Sequence, residues 1–188
     1  LDLPFTAMSN LQIANNTLYF MGGSPSEGKS LIQYDFKTIK RLRISKKTDI
    51  DSGYISIPET LEFPTENGNV AYGFYYPPKN KDYKGTDKPP LIVKSHGGPS
   101  SQVTSSLNLE IQFWTSRGIA YLDVNYGGST GFGREYRERL KGNWGIVDID
   151  DCVNGALYLT KKGEVDPDKM AIKGGSAGGY TTLAALTF

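Results

Sequence analysis

The chain has 188 residues, enough for one domain or for a domain with an appended piece. Its 21 Lys and Arg nearly balance 20 Asp and Glu, and a net charge of +1 gives no bulk attraction to nucleic acid or an anionic membrane. With 38% hydrophobic residues it should bury a core, and its single Cys and single His exclude an intramolecular disulfide and a Cys/His zinc site.

Residues 1–50 read as β. Thr17-Leu18-Tyr19-Phe20-Met21 follows an Asn15-Asn16 turn signal, and Leu31–Phe36 and Ile39–Ile44 are two further β-branched and aromatic runs. The Gly- and Ser-containing stretch Gly22–Ser30 reads as a loop between them, giving two hairpins. Two hairpins are too little to fold alone. They are either an extension packed on the main domain or the last part of a β-propeller. No second copy of the unit is present, so the sequence shows no repeat.

Residues 51–188 form the second section. Tyr54–Phe63 and Val70–Tyr76 are predicted strands around Asn67-Gly68, a dipeptide that tolerates positive φ at both positions. Lys79–Lys88 is a polar surface loop. From Pro89 the pattern alternates: strand Leu91–Val93, helix Leu107–Arg117 closed by Gly118, strand Ile119–Val124, and a charged helix Phe132–Leu140. Ile149, Cys152, Val153, Ala156 and Leu157 then mark one face of a helix. Asp148, Asp150 and Asp151 in its first turn and Lys161 and Lys162 in its last complement the dipole, and Gly163 caps it. Strand Met170–Ile172 and helix Ala177–Phe188 close the series. Alternation of this kind predicts an α/β fold, a mostly parallel sheet with helices on both faces.

The segment with the clearest chemistry is Gly174-Gly175-Ser176-Ala177-Gly178, a G-x-S-x-G with a strand before and a helix after. That is the setting of a nucleophile elbow. The sharp reversal projects Ser176 Oγ, while Gly174 and Gly178 let strand and helix approach without a Cβ clash. A phosphate loop is the competing reading, but its Gly-Lys-Ser/Thr is missing from this segment. His96-Gly97-Gly98-Pro99 follows an earlier strand and supplies the second half of an oxyanion hole. Gly98 and Ala177 are the expected N–H donors. His96 precedes the nucleophile, whereas the base of this hydrolase class follows it, so His96 is expected to shape the loop with Gly97 rather than act as base. The 12 residues after Ser176 contain no Asp, Glu or His, so the acid and base of a triad are expected beyond Phe188.

At these residues the sequence resembles the prolyl oligopeptidase family of serine peptidases, especially its acylaminoacyl-peptidase and dipeptidyl-aminopeptidase-like branch. The resemblance rests on His96–Pro99, on Asn125-Tyr126-Gly127-Gly128-Ser129-Thr130-Gly131-Phe132-Gly133, on Trp144-Gly145, and on Val165-Asp166-Pro167 through Tyr180. It implies an α/β-hydrolase fold preceded by a β-propeller, with residues 1–50 as the propeller's end and 51–188 as the first part of the peptidase domain, truncated after the elbow. It also implies peptidase action on short peptides, Ser176 as nucleophile, Gly98 and Ala177 as oxyanion donors, and no cofactor or metal. Two positions depart from the family pattern. Prolyl oligopeptidases proper carry Tyr where His96 stands, and many relatives carry Arg where Gly127 stands.

Two further readings share the motif: an esterase or lipase on the same fold, and a non-catalytic binding fragment. No apolar run approaches the roughly 18–20 residues that span a bilayer, and residues 1–10 lack the pattern of a signal peptide. No membrane or nucleic-acid partner and a cytoplasmic location are therefore expected, with a homo-oligomer left open. Leu rather than Met at position 1 reads as a piece of a longer chain.

Overall fold

The computed structural model describes residues 2–45 and 49–187. Residues 1 and 46–48 of the N-terminal β segment, and Phe188 of the last expected helix, lie outside that range.

Strands β1 (Ala7–Ala14), β2 (Thr17–Ser24), β3 (Glu27–Tyr34) and β4 (Ile39–Ile44) form one antiparallel meander in that order. Asn15 and Asn16 turn between β1 and β2 with φ of 47° and 57°, the paired positive values of a tight hairpin. The expected loop over Gly22–Ser30 is corrected to strand, with only Pro25-Ser26 turning. The glycines there answer to packing. A Cβ on Gly22 would sit 2.8 Å from Phe5 Cδ1, and one on Gly23 2.7 Å from Ser106 Oγ. Phe5, Leu18, Phe20 and Ile32 make a small core, with Phe5 edge-on to Phe20 at 5.4 Å.

The second sheet contains β5 (Glu59–Pro64), β6 (Val70–Tyr76), β7 (Leu91–Ser95), β8 (Ala120–Asn125) and β9 (Met170–Gly174), in the order β5-β6-β8-β7-β9. It is mixed: β7 runs parallel to β8 and β9, whereas β6 is antiparallel to β5 and β8. The strand expected from Tyr54 starts only at Glu59. Ser56 is diverted to Gln112, whose side chain accepts its N–H at 2.7 Å, and to the Pro77 carbonyl at 2.6 Å. Asn67 and Gly68 take φ of 57° and 72° in the β5–β6 connection.

Helices cover both faces. α1 (Leu109–Thr115) starts from Asn108, whose side chain accepts the Glu110 N–H at 2.9 Å, and it packs with Tyr76, Ile92 and Tyr121. On the other face α3 (Val147–Lys162) and α4 (Ala177–Ala184) cover the larger core, which includes Phe63, Val93, Leu122, Cys152 and Leu159. The short α2 (Gly133–Glu138) follows the β8 loop. Gly118 and Gly163 take positive φ where α1 and α3 end, as C-capping glycines do.

The inward face of α3 is rotated from the expected stripe. Ile149, Cys152, Ala156 and Leu159 are buried, while Val153 and Leu157 are 40% and 56% exposed. The rotation follows from Gly155, where a Cβ would lie 2.9 Å from Leu122 Cδ2, and from two aspartates that face inward. Asp148 and Asp151 therefore do more than offset a helix dipole: both are buried and both accept hydrogen bonds.

Candidate active site

Ser176 stands between the end of β9 and the start of α4, exposed, at φ 55° and ψ −124°. A non-glycine residue in this region costs on the order of 1–3 kcal/mol, so the surroundings must impose it. They do so through backbone contact. A Cβ on Gly178 would lie against the Ser95 carbonyl oxygen and 2.8 Å from that of His96. A Cβ on Gly174 would collide with the Gly178 carbonyl and lie 2.9 Å from Ser95 O. Strand β7, strand β9 and helix α4 thus meet with no room for side chains. Gly175, by contrast, would meet nothing within 4 Å.

The turn after β7 lies against this elbow. A Cβ on Gly97 would be 2.9 Å from Gly175 O and 3.3 Å from Ser176 Cβ. Gly98 has φ 105°, a conformation that excludes ordinary side chains. Among the described residues, neither the Gly98 N–H nor the Ala177 N–H has an acceptor. The fold therefore brings Ser176, Ala177, Gly97 and Gly98 together at the end of the parallel strands, with two backbone donors unengaged.

His96 is buried and turned away from this point. Its ring stacks on Tyr126 at 4.2 Å, its Nδ1 lies 2.9 Å from Gly97 O, and its Nε2 lies 2.8 Å from Ser129 Oγ. A carbonyl only accepts, so Nδ1 carries the proton and in the neutral ring Nε2 is an acceptor; the single Ser129 hydroxyl hydrogen is shared between it and the Tyr126 carbonyl, 2.7 Å from Oγ. Burial lowers the His96 pKa and Lys94 adds to this, against the raising effect of the Gly97 contact. Tyr126 OH donates to His96 O at 2.9 Å and Pro99 O at 3.1 Å, fixing the loop from below.

A second set of contacts secures the back of the elbow. Asp148 accepts from Gly145 N at 2.6 Å and from Thr181 Oγ1 on α4. Trp144 packs on Tyr180, ring centroids 5.5 Å apart. Asp151 accepts from Gly127 N at 2.7 Å and Thr65 Oγ1 at 2.6 Å; burial raises its pKa, and these two bonds oppose the rise. A Cβ at Gly127 would lie 2.6 Å from Val147 Cγ1, so Val147 fills the space that a side chain at position 127 would need. Cys152 is fully buried and its thiol is pushed up by desolvation, which removes it from the chemistry. Among the described residues no cluster of His, Cys, Asp or Glu is placed to hold a metal.

Sequence reasoning had not singled out Ser129, Tyr126, Asp148 or Thr181 as parts of the site. Ser129 and Tyr126 lie in the glycine-rich Asn125–Gly133 stretch that carried the resemblance, which was the available signal. For Asp148 and Thr181 there was none, because a dipole role accounted for the aspartate.

Residues 105–188 match the prolyl oligopeptidase family. Dipeptidyl aminopeptidase BIII of Pseudoxanthomonas mexicana is 38% identical over 109 residues, 58% of this chain and 16% of that protein. Acylamino-acid-releasing enzyme 1 of Oryza sativa subsp. japonica is 41% identical over 100 residues, 53% of this chain and 13% of that protein. A puromycin-hydrolyzing peptidase of Mycobacterium tuberculosis superposes with a TM-score of 0.95 at 38% identity, covering 100% of this chain and 30% of that one. The chain thus spans less than a third of the length of each of these relatives. Sequence match and fold agree: residues 105–188 match the prolyl oligopeptidase family, and the chain shares its fold with the puromycin-hydrolyzing peptidase.

Proposed function

We propose that the protein carrying this chain is a serine peptidase that cleaves short peptides through an acyl-enzyme on Ser176. Ser176 Oγ attacks the carbonyl carbon, and the oxygen that becomes negative lies between the Gly98 and Ala177 N–H groups. The C–N bond breaks, the amine leaves with the proton taken from Ser176, and an ester remains until water hydrolyses it. The base that carries the proton, and the acid that orients it, are supplied outside residues 1–188, since both ring nitrogens of His96 are engaged elsewhere. In this reading residues 1–50 are the end of a propeller that admits only short substrates. The puromycin-hydrolyzing relative extends the candidate substrates to aminoacyl amides.

The observation that carries the proposal is the strained, exposed Ser176 held against a glycine loop, with two N–H groups left without acceptors. The test is Ser176→Ala in the full-length protein, assayed on peptide p-nitroanilides. A fall in kcat of about 10⁶-fold is expected. Unchanged turnover would overturn the reading, and turnover of p-nitrophenyl esters without peptides would replace it with an esterase.

A further inference from the structure

We propose that the groove between the Gly98–Ser100 loop and Trp144 is the subsite for the leaving-group side of the substrate. It would take a short segment with an apolar side chain and a free C-terminal carboxylate. This deepens the peptidase reading and rests on it.

The groove has a volume of about 330 Å³ and is walled by Pro99, Ser100, Leu140 and Trp144, with Arg137 and Lys141 at its rim. That volume is at the lower end of ligand sites, about 300–1,000 Å³. Both walls are tied to the elbow. Pro99 directly follows Gly98, and the neighbouring Gly97 backbone lies against Ser176. Trp144 packs on Tyr180, about one helical turn past Ser176. Both walls are also braced. Tyr126 OH holds the Pro99 carbonyl, Asp148 holds the Gly145 N–H beside Trp144, and Leu140 is buried against Gly128. Trp144 nevertheless remains 52% exposed, an aromatic face without a partner on the open side.

Charge decides which half of the substrate enters. Arg137 and Lys141 face a single acid, Glu138, which pairs with both, so the rim keeps one surplus positive charge. The acyl half of a short peptide ends in an ammonium group, which this rim repels. The leaving half ends in a carboxylate, which it attracts. A carbonyl oxygen held between Gly98 and Ala177 would lie next to Pro99, which follows Gly98 and walls this groove.

The test uses the full-length protein and matched substrates with one acyl part. One leaves a dipeptide acid, one the same dipeptide as its amide, and one p-nitroaniline. The acid should exceed the amide in kcat/KM by about 5-fold, the size of a rim charge contact. Added salt should shrink that ratio, Lys141→Gln, which leaves the rim neutral, should abolish it, and Lys141→Glu should invert it. Trp144→Ala should lower kcat/KM for leaving segments with an apolar side chain more than for those with glycine there. A wild-type ratio of one, insensitive to salt, overturns the inference while p-nitroanilide turnover leaves the peptidase reading standing; that measurement needs no variant to fold. When the same acyl part is also tested with its N-terminus acetylated, a salt-sensitive preference that follows the charge of that end also overturns it, placing the acyl half in the groove. Absence of turnover on all three substrates defeats both the peptidase reading and this subsite.

Discussion

The two sheets of this chain use the same residue types to different ends. The sheet of residues 7–44 buries one small cluster, Phe5, Leu18, Phe20 and Ile32, and leaves Met8, Leu11, Ile13, Leu42 and Ile44 exposed. The sheet of residues 59–174 is covered by α1 on one face and by α3 and α4 on the other, and Leu122, Val124 and Tyr121 in β8 are wholly buried. Glycine shows the same contrast. Gly22 and Gly23 make room for side chains, Phe5 and Ser106, whereas Gly174 and Gly178 make room for backbone carbonyls. A side chain can move aside at modest cost, but three backbone segments fixed in a sheet and a helix cannot. The geometry at Ser176 is therefore set by the second sheet. Among the described residues the first sheet reaches it indirectly, through Thr6 to Ser105, through Gly23 packed on Ser106 and through the Ser24 carbonyl to Leu107 N–H.

Substituting the elbow glycines tests that contrast most severely. Gly178→Ala should separate α4 from β7 and reduce activity of the full-length protein by about 10²-fold or more, as a displacement near 1 Å does. Gly175→Ala, with open space around its Cβ, should keep most activity in the same assay. Equal losses in the two variants would show that steric crowding is not what fixes the elbow.

Next in size is Phe20→Ala, which should remove about 3–5 kcal/mol from the small core. Hydrogen exchange should then show loss of protection in β2 and β3 while β7, β8 and β9 keep theirs. Loss spread evenly over both sheets would make them one cooperative unit.

A further effect concerns pH. Asp123 in β8 is buried, its Oδ1 has no partner, and desolvation raises its pKa to about 7. Lys94, its neighbour across the β7–β8 ladder, draws the value down, and Glu110 on α1 pushes it up. The folded form therefore binds a proton that the unfolded chain releases near pH 4. Stability should fall as pH rises from about 4 to about 7 and level off above. Thermal melts of Asp123→Asn should lack that slope; a slope that persists would assign the proton elsewhere.

The smallest expected effect is that of Leu11→Ser. Leu11 is 55% exposed on β1, and the change should shift stability by no more than about 0.5 kcal/mol. A larger loss, read from the melting temperature, would mean that another part of the full-length protein covers this face.

The sequence by itself determined whatever depends on a few neighbouring residues. The Asn15-Asn16 and Asn67-Gly68 turns, the glycine ends of α1 and α3, the run of β6, and the position of Ser176 between strand and helix all follow from local φ and ψ preferences and short-range periodicity. Only the tertiary structure decided which residues meet across long stretches of chain. Gly22-Gly23 looks like a loop until Phe5 and Ser106 close over it. The side of α3 that faces inward depends on Leu122 and on partners for Asp148 and Asp151 at Thr181 and Thr65. The brace of His96 by Ser129 joins residues 33 apart. A carboxylate or hydroxyl carries no mark of its partner, because a hydrogen bond needs only a donor at the right distance. The packed sheet supplies that distance, and the order of residues along the chain does not.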